Sequence, residues 1–277
     1  MDFAICSIDN KKYKVTDFAK LESSELAYKR RFLKCKCGGP AFFRKASISG
    51  QGACFGARPH EKGCDLSSPE NESIGGFLTT EEKEYVNSGK EIILDLKYGA
   101  VKNKHVVETD DTSEFKNNQG KKYSPLNGKA ESKLQRRLST LLRLLVNEKD
   151  FFKDSKQKIY FNSKHPYYAG NFFVHSDYIT DDYVEAINPR SSRAVWSMIS
   201  DARYANDSKN IWINTGGNDT VSILIDEKIH DEFIERFKIK ELEDLSGKYV
   251  LAISCLKKSK KDKIFSVIED ISHITIV

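Results

Sequence analysis

Two short stretches set the first constraint on this chain: "CKCGG" at residues 35–39 and "CFGARPHEKGC" at residues 54–64. Four of the six cysteines, Cys35, Cys37, Cys54 and Cys64, fall within thirty residues, with His60 among them. So small a segment has too little apolar side chain to fix its own shape and needs a staple. The opening "MDFAICSIDNKKYKV" lacks the basic-then-apolar form of a secretory signal. No window reaches the roughly 18 unbroken apolar residues of a membrane span. The expected compartment is therefore the cytoplasm, where thiols stay reduced and clustered ones more often bind metal than pair with one another.

A tetrahedral zinc site takes four ligands from thiolate sulfur and imidazole nitrogen. Cys35 and Cys37 supply one pair, and Cys54, His60 and Cys64 compete to supply the other. The first choice is Cys35, Cys37, Cys54 and Cys64, with His60 as a substitute ligand or a hydrogen-bonding neighbour. Between the two groups, "PAFFRKAS" and "GACFGAR" read as strands joined by the turn "ISGQG". Cysteines before and after such a hairpin are the layout of a zinc ribbon. The metal is expected to be structural, because neither H-E-x-x-H nor the paired H-x-E and P-C-x-x-C motifs of zinc deaminases are present.

The stretch "RFLKCKCGGPAFFRKAS…ACFGARPHEKGC" resembles the amino-terminal zinc-binding segment of CoiA-like competence proteins. It differs in having C-x-C in place of the paired-cysteine knuckle and Cys54 where a histidine is expected. The resemblance spans about thirty-five residues and implies metal and DNA, without implying catalysis. Basic residues crowd the cluster: Lys29, Arg30, Arg31, Lys34, Lys36, Arg44, Lys45 and Arg58.

Charge is distributed unevenly. Residues 1–64 carry 13 Lys and Arg against 6 Asp and Glu, whereas residues 65–128 carry 8 against 12. A basic end beside an acidic middle points to an anionic partner for the basic end. "FAICSI" and "YKV" read as a hairpin, followed by a helix in "SSELAYKRRFL" with a serine as its cap. "EIILDLKYGA" reads as a strand with "KHVVE" as partner. Residues 109–128 contain almost no apolar side chain and read as a linker or mobile loop, the principal domain boundary. "ESKLQRRLSTLLRLLVNEKDFF" has helical spacing at Leu134, Leu138, Leu141, Leu142 and Leu145. "KIYFNS", "YYAGNFFVHSDYI" and "YVEAI" read as short strands.

The last ninety residues order themselves as three strands ("RAVWSMISDARY", "NIWINT", "TVSILID"), a helix ("EKIHDEFIERF") and two strands ("KYVLAISCL", "KIFSVIEDISHITIV"). That order, and the stretch "EDLSGKYVLAISCLKKSKKDKIFSVIED", resemble OB-fold single-stranded nucleic-acid binders. The fold class expected is α+β. A zinc-ribbon-like basic module would span 1–66, with short strands at 67–108 completing the N-terminal domain. A helix with short strands would follow at 129–189, and a five-stranded OB-type barrel at 190–277.

OB barrels hold single strands across strands two and three, with bases on aromatic rings and phosphates on Lys and Arg. With Ile211 and Ile213 inward, Trp212 and Asn214 would face the groove. Arg203, Tyr204 and Lys209 would sit near the first loop, and Lys257, Lys258, Lys260, Lys261 and Lys263 at the hairpin tip. Arg44, Lys45 and Arg58 would extend the cationic surface from the zinc module.

The function expected is therefore non-enzymatic binding of single-stranded DNA or RNA, accessory to replication, recombination or defence machinery, with no membrane partner. Two alternatives stand beside it. One is a metal-dependent nuclease subunit using Asp95 and Lys97 of "EIILDLKYG". The other is a module docking further protein subunits of a larger complex. The run "HSDYITDDYVEAI", with His175, Asp177, Asp181, Asp182 and Glu185, reads as a solvated acidic loop.

Overall fold

A computed structural model describes residues 1–48, 50–61, 63–67, 91–96, 134–148, 152, 156–161, 165–206, 208–216 and 221–277. The architecture is mixed α+β.

The N-terminal module begins with the expected hairpin, β1 (Phe3–Cys6) and β2 (Lys11–Lys14), turned at Asn10 with φ of 53°. Two short helices follow, α1 (Val15–Phe18) and α2 (Ser23–Lys29). No serine side chain caps α2, because Ser23 is already its first helical residue and Glu22 precedes it. A 3₁₀ turn (Arg30–Phe32) leads into β3 (Leu33–Lys34), which pairs with β1. The second hairpin is β4 (Ala41–Arg44) with β5 (Cys54–Ala57). Phe18 locks the module. Its ring is fully buried and meets Tyr13, Phe43 and Phe55 edge-on at 5.1–5.3 Å.

In the middle region, β6 (Glu91–Asp95) lies between parallel neighbours β7 (Leu134–Arg137) and β8 (Lys158–Tyr160), with β9 (Tyr167–Tyr168) outside β8. The expected partner "KHVVE" and the 109–128 linker lie outside the described residues. The leucine-rich helix α3 starts only at Leu138 and runs to Asn147, because Leu134–Arg137 is drawn into the ladder beside β6. Its Leu138, Leu141, Leu142 and Leu145 are buried as the spacing predicts. α4 (Ala169–Phe172) and β10 (Phe173–His175) follow. "YVEAI" is not a strand: Asp181–Ala186 forms helix α5. Thr180 caps it, accepting from the backbone N–H of Tyr183 at 3.2 Å, and Asp181 and Asp182 suit the positive end of the helix.

The C-terminal strands are β11 (Arg193–Tyr204), β12 (Ile211–Thr215), β13 (Ser222–Ile225), β14 (Tyr249–Ser254), β15 (Leu256–Lys258), β16 (Ile264–Ile268) and β17 (Ile274–Ile276), with α6 (His230–Arg236) between β13 and β14. They form one sheet in the order β15-β16-β13-β12-β11-β14-β17, with β10 added beside β11. Seven strands on this path replace the five expected. The twelve-residue β11 pairs with β14 along its first half and β12 along its second, changing register at a bulge between Ile199 and Asp201. β13 and β16 run parallel. Only Cys255 separates β14 from β15, although these lie far apart in the strand order, so the sheet must curl. The hydroxyl of Ser254 on β14 donates to the carbonyl of Val267 on β16 at 2.8 Å across that curl. Ile199, Ile211, Ile213, Ile223, Ile225 and Val250 fill the concave side together with Phe233 of α6. Trp196 and Met198 of β11 face the other way and share a core with α3.

The N-terminal module is fastened to this sheet. Arg30 has only 4% of its side chain exposed and pairs with Glu243. It also donates to the carbonyl of Phe43 at 2.7 Å and to Ser246 Oγ at 3.0 Å. Arg44 donates to the carbonyl of Ser246 at 2.9 Å, and Tyr249 Oη donates to that of Arg58 at 2.8 Å. Phe42 fits against Gly247, where an added Cβ would come within 2.4 Å of its ring. Among the described residues no helix is long and apolar enough to cross a membrane.

Removing one member of a buried, hydrogen-bonded ion pair leaves the other uncompensated. Arg30→Ala is therefore expected to lower unfolding free energy by about 3–5 kcal/mol. Urea titration of the full chain measures this, and a loss under about 1 kcal/mol would refute the fastening role.

Candidate functional site

Among the described residues, one group of His, Cys, Asp and Glu side chains is arranged to hold a metal ion: Cys35, Cys37, His60 and Cys64. Their ligand atoms lie within 4.8 Å of one another. Cys35 Sγ and Cys64 Sγ are 3.9 Å apart, and Cys37 Sγ and His60 Nδ1 are 3.7 Å apart. A tetrahedron with metal–sulfur bonds of about 2.3 Å has edges of roughly 3.8 Å, which the Cys35–Cys64 and Cys37–His60 separations match.

Local backbone geometry brings these atoms together. The 35–39 loop closes on itself, with Cys35 N donating to Gly39 O at 2.8 Å and Gly38 N to Cys35 O at 2.9 Å. Gly38 sits at φ +91°, a conformation that side chains resist, and Gly39 passes so close to Pro59 O that a Cβ would fall 2.6 Å from it. The β4–β5 hairpin carries the chain from the first pair of ligands to the second, as the sequence suggests. Cys54 is not part of the group. It is exposed on β5 opposite Arg44, and His60 takes the place expected of it. The signal for His60 was its position after the hairpin, which puts it on the same side as Cys64.

The two cysteines of the C-x-C differ electrostatically. Burial pushes the Cys35 thiol up to about 11. Burial also opposes ionisation of Cys37, but backbone N–H groups of Gly39 and Glu61, with His60 and Cys35, bring it down to about 6. A resting thiolate beside an imidazole is prepared to ligate a cation. Cys6 is fully buried, which raises its pKa, and Cys255 is half-buried in the β14–β15 link.

The outer face of β12, β13 and β16 holds the second candidate site. Trp212 is half-buried there, with Lys263 Nζ 5.8 Å above its ring and Phe265 edge-on at 5.8 Å. Leu224 lies opposite Trp212, and Val267 opposite Leu224. Arg203 is exposed and opposite Trp212 on β11, and Lys257 is exposed and opposite Phe265 on β15. Burial first, then the charges of Arg31 and Arg203, lower the pKa of Lys263. Phe265 was legible only as part of an alternating strand, and Arg31 reaches the neighbourhood through the fold alone.

Several expected contributors sit elsewhere. Asn214 does not face the groove; it is fully buried, donating to Asp201 Oδ1 at 2.7 Å and accepting from Ser222 Oγ at 2.8 Å. Lys258 turns to the acids of α5, 3.0 Å from Asp181 and 3.8 Å from Glu185, so the supposed acidic loop is partly its counter-charge. Lys260 and Lys261 are exposed at the hairpin tip. Tyr204 is exposed and shares a hydrogen bond with His230, while Lys209 lies 3.9 Å from Asp231. Arg44 and the backbone of Arg58 belong to the module–sheet junction, and the backbone of Lys45 donates to Glu243. Lys29 and Lys36 pair with Asp9 and Asp65.

Asp95 lies opposite Arg137 at the edge of a cavity of about 40 Å³ that also touches Arg236. Lys97 lies outside the described residues, and Glu91 is engaged by Tyr160 Oη at 2.9 Å. Among the described residues, Asp95 belongs to no group of three or more His, Cys, Asp or Glu side chains placed to hold a metal ion.

Purified protein is expected to carry one metal ion per chain by elemental analysis, retained in Cys54→Ser and lost in Cys37→Ser and His60→Ala. Equal loss in Cys54→Ser would restore the four-cysteine set. In metal-stripped protein, the alkylation rate of Cys37 is expected to be half-maximal near pH 6, with Cys35 the slowest of the cluster; mass-spectrometric mapping of iodoacetamide adducts against time reads this order. Comparison with known proteins finds no family model that matches the sequence and no curated protein that matches it.

Proposed function

We propose that this protein binds single-stranded DNA or RNA along the outer face of β12, β13 and β16, without acting on it chemically. One observation carries the reading: an indole lies on the convex side of the curled sheet, accompanied by a phenyl ring and a lysine over its face. Bases stack on such rings with little regard to sequence, while flanking cations follow the phosphates. Leu224 and Val267 extend the apolar floor, and Lys257, Lys260 and Lys261 supply charge along one side.

The sheet is read here as an elaborated OB-type barrel. In support, a long first strand pairs on both sides, a helix separates strands three and four, and β13 runs parallel to β16. β15, β17 and β10 would be additions to that core. The Cys35–Cys37–His60–Cys64 group is read as a structural zinc site of ribbon type. Three soft thiolates and one imidazole in a tetrahedron suit zinc, and the four protein ligands leave no open position for a reacting water. The metal would fix the loops on either side of the β4–β5 hairpin and so the basic surface around them.

Labelled single-stranded oligonucleotides are expected to bind in a fluorescence-anisotropy titration, with affinity falling steeply as salt rises. Trp212→Ala should cost about 1–3 kcal/mol of binding, with the unfolding midpoint little changed. Flat titrations on every single-stranded DNA and RNA tried would refute the reading.

A further inference from the structure

We propose that a cavity beside β10 binds a nucleoside monophosphate, with its base among aromatic rings and its phosphate on Arg193. The site is separate from the strand-binding face and does not depend on that reading.

The cavity holds about 430 Å³, within the range of small-molecule sites. Leu145 of α3, Phe173 and Val174 of β10 and Ile187 line it with apolar side chains, and Tyr178 and Tyr183 add rings. Phe152 stacks on Phe173, with centroids 4.7 Å apart and planes 20° apart. Tyr178 is 69% exposed and stands edge-on to His175 at 6.3 Å. A flat heterocycle entering here would take that ring out of water and gain stacking as well as burial.

Arg193, the first residue of β11, supplies the charge. Its Nε donates to Tyr183 Oη at 3.2 Å, and its Nη1 donates to Ser191 Oγ at 2.6 Å and to Ser192 O at 3.0 Å. All three partners are neutral. The acids on adjoining elements are engaged elsewhere: Asp177 lies 3.4 Å from His175, and Asp181 and Glu185 lie 3.0 and 3.8 Å from Lys258. None forms an ion pair with Arg193 among the described residues. The three bonds use Nε–H and both N–H groups of Nη1, which leaves the pair on Nη2.

A half-buried guanidinium that is already held in place, and that has no counter-charge, is preorganised for an oxyanion. Phosphate can meet the Nη2 pair while the existing bonds stay intact. Asn171, exposed on α4, also lines the cavity, and its side-chain amide makes no hydrogen bond among the described residues. That amide carries both the donor and the acceptor that the edge of a base requires. Rings for a base, an amide for its edge and a cation for a phosphate thus meet in one cavity.

Isothermal titration calorimetry of the full chain, at two temperatures, with adenosine, guanosine, cytidine and uridine 5′-monophosphates tests this. At least one should bind with a Kd below about 1 mM, and its unphosphorylated nucleoside roughly tenfold more weakly. Arg193→Gln should remove the difference between nucleotide and nucleoside, whereas Tyr178→Ala should weaken both roughly tenfold. Asn171→Asp sets a negative charge at the cavity and should weaken the nucleotide more than the nucleoside. Should Arg193→Gln fail to fold in a thermal melt, Tyr178→Ala and Asn171→Asp, both on exposed residues, decide the matter. Absence of binding by all four nucleotides overturns the proposal, as does equal affinity for nucleoside and nucleotide. Binding that survives the cavity variants and is lost in Trp212→Ala would place the nucleotide on the outer face of β12 and overturn it equally.

Discussion

The contact between Arg30 and Glu243 joins parts of the chain 213 residues apart, and both candidate sites depend on it. Its guanidinium also binds Phe43 O and Ser246 Oγ, so it ties the 3₁₀ turn, the β4 strand and the turn before β14 together. Glu243 in return accepts from the backbone N–H of Lys45 at 3.0 Å, and Glu241 from that of Ile48 at 3.1 Å. The loop joining β4 to β5 thereby rests on the turn that precedes β14. A buried charge of this kind tolerates few geometries, because each misplaced donor leaves an unsatisfied partner. That intolerance fixes Arg31, the next residue, against β12, and sets the direction in which the chain enters the Cys35 loop.

A second buried polar group steadies the convex face. Asp201, Asn214 and Ser222 are linked side chain to side chain across three neighbouring strands. Ordinary β alternation would put apolar residues or water there. A fully satisfied network instead holds the strands in one register, since slipping any of them would break bonds that water cannot replace. It begins at the bulge in β11, where the extra residue turns Asp201 and Arg203 outward and frees the concave side for isoleucine. The aromatic pair Trp212 and Phe265 therefore stands on a rigid floor.

Much of this was legible where the sequence has a period. "RAVWSMISDARY" is β11 from end to end and "EKIHDEFIERF" contains α6, whereas "KIFSVIEDISHITIV" divides into β16 and β17 around a 3₁₀ turn. The cysteine spacing and the intervening hairpin marked the metal-ligand loops. What failed did so because distant partners decided it. Leu134 fits a helical stripe, but a parallel neighbour claims it for a strand. Alternation puts Asn214 on the side of Trp212, but could not foresee that Asp201 and Ser222 would bury it and keep it from the groove. Cys54 reads as the better ligand on paper, with His60 as its substitute, but the fold exposes Cys54 on β5 and brings His60 to Cys37. Arg31 read as one basic residue among eight around the cysteines; its proximity to Trp212 exists only in three dimensions.

The curled sheet ends in two very short strands, Leu256–Lys258 on one side and Ile274–Ile276 on the other. Unpaired backbone along a sheet margin is a template on which other chains can add, and its reach grows with length. Three residues at each margin offer little to grip, and Lys257 on one of them sets an exposed charge before an approaching strand. The rolled shape thus leaves little open backbone on which a further strand could be added.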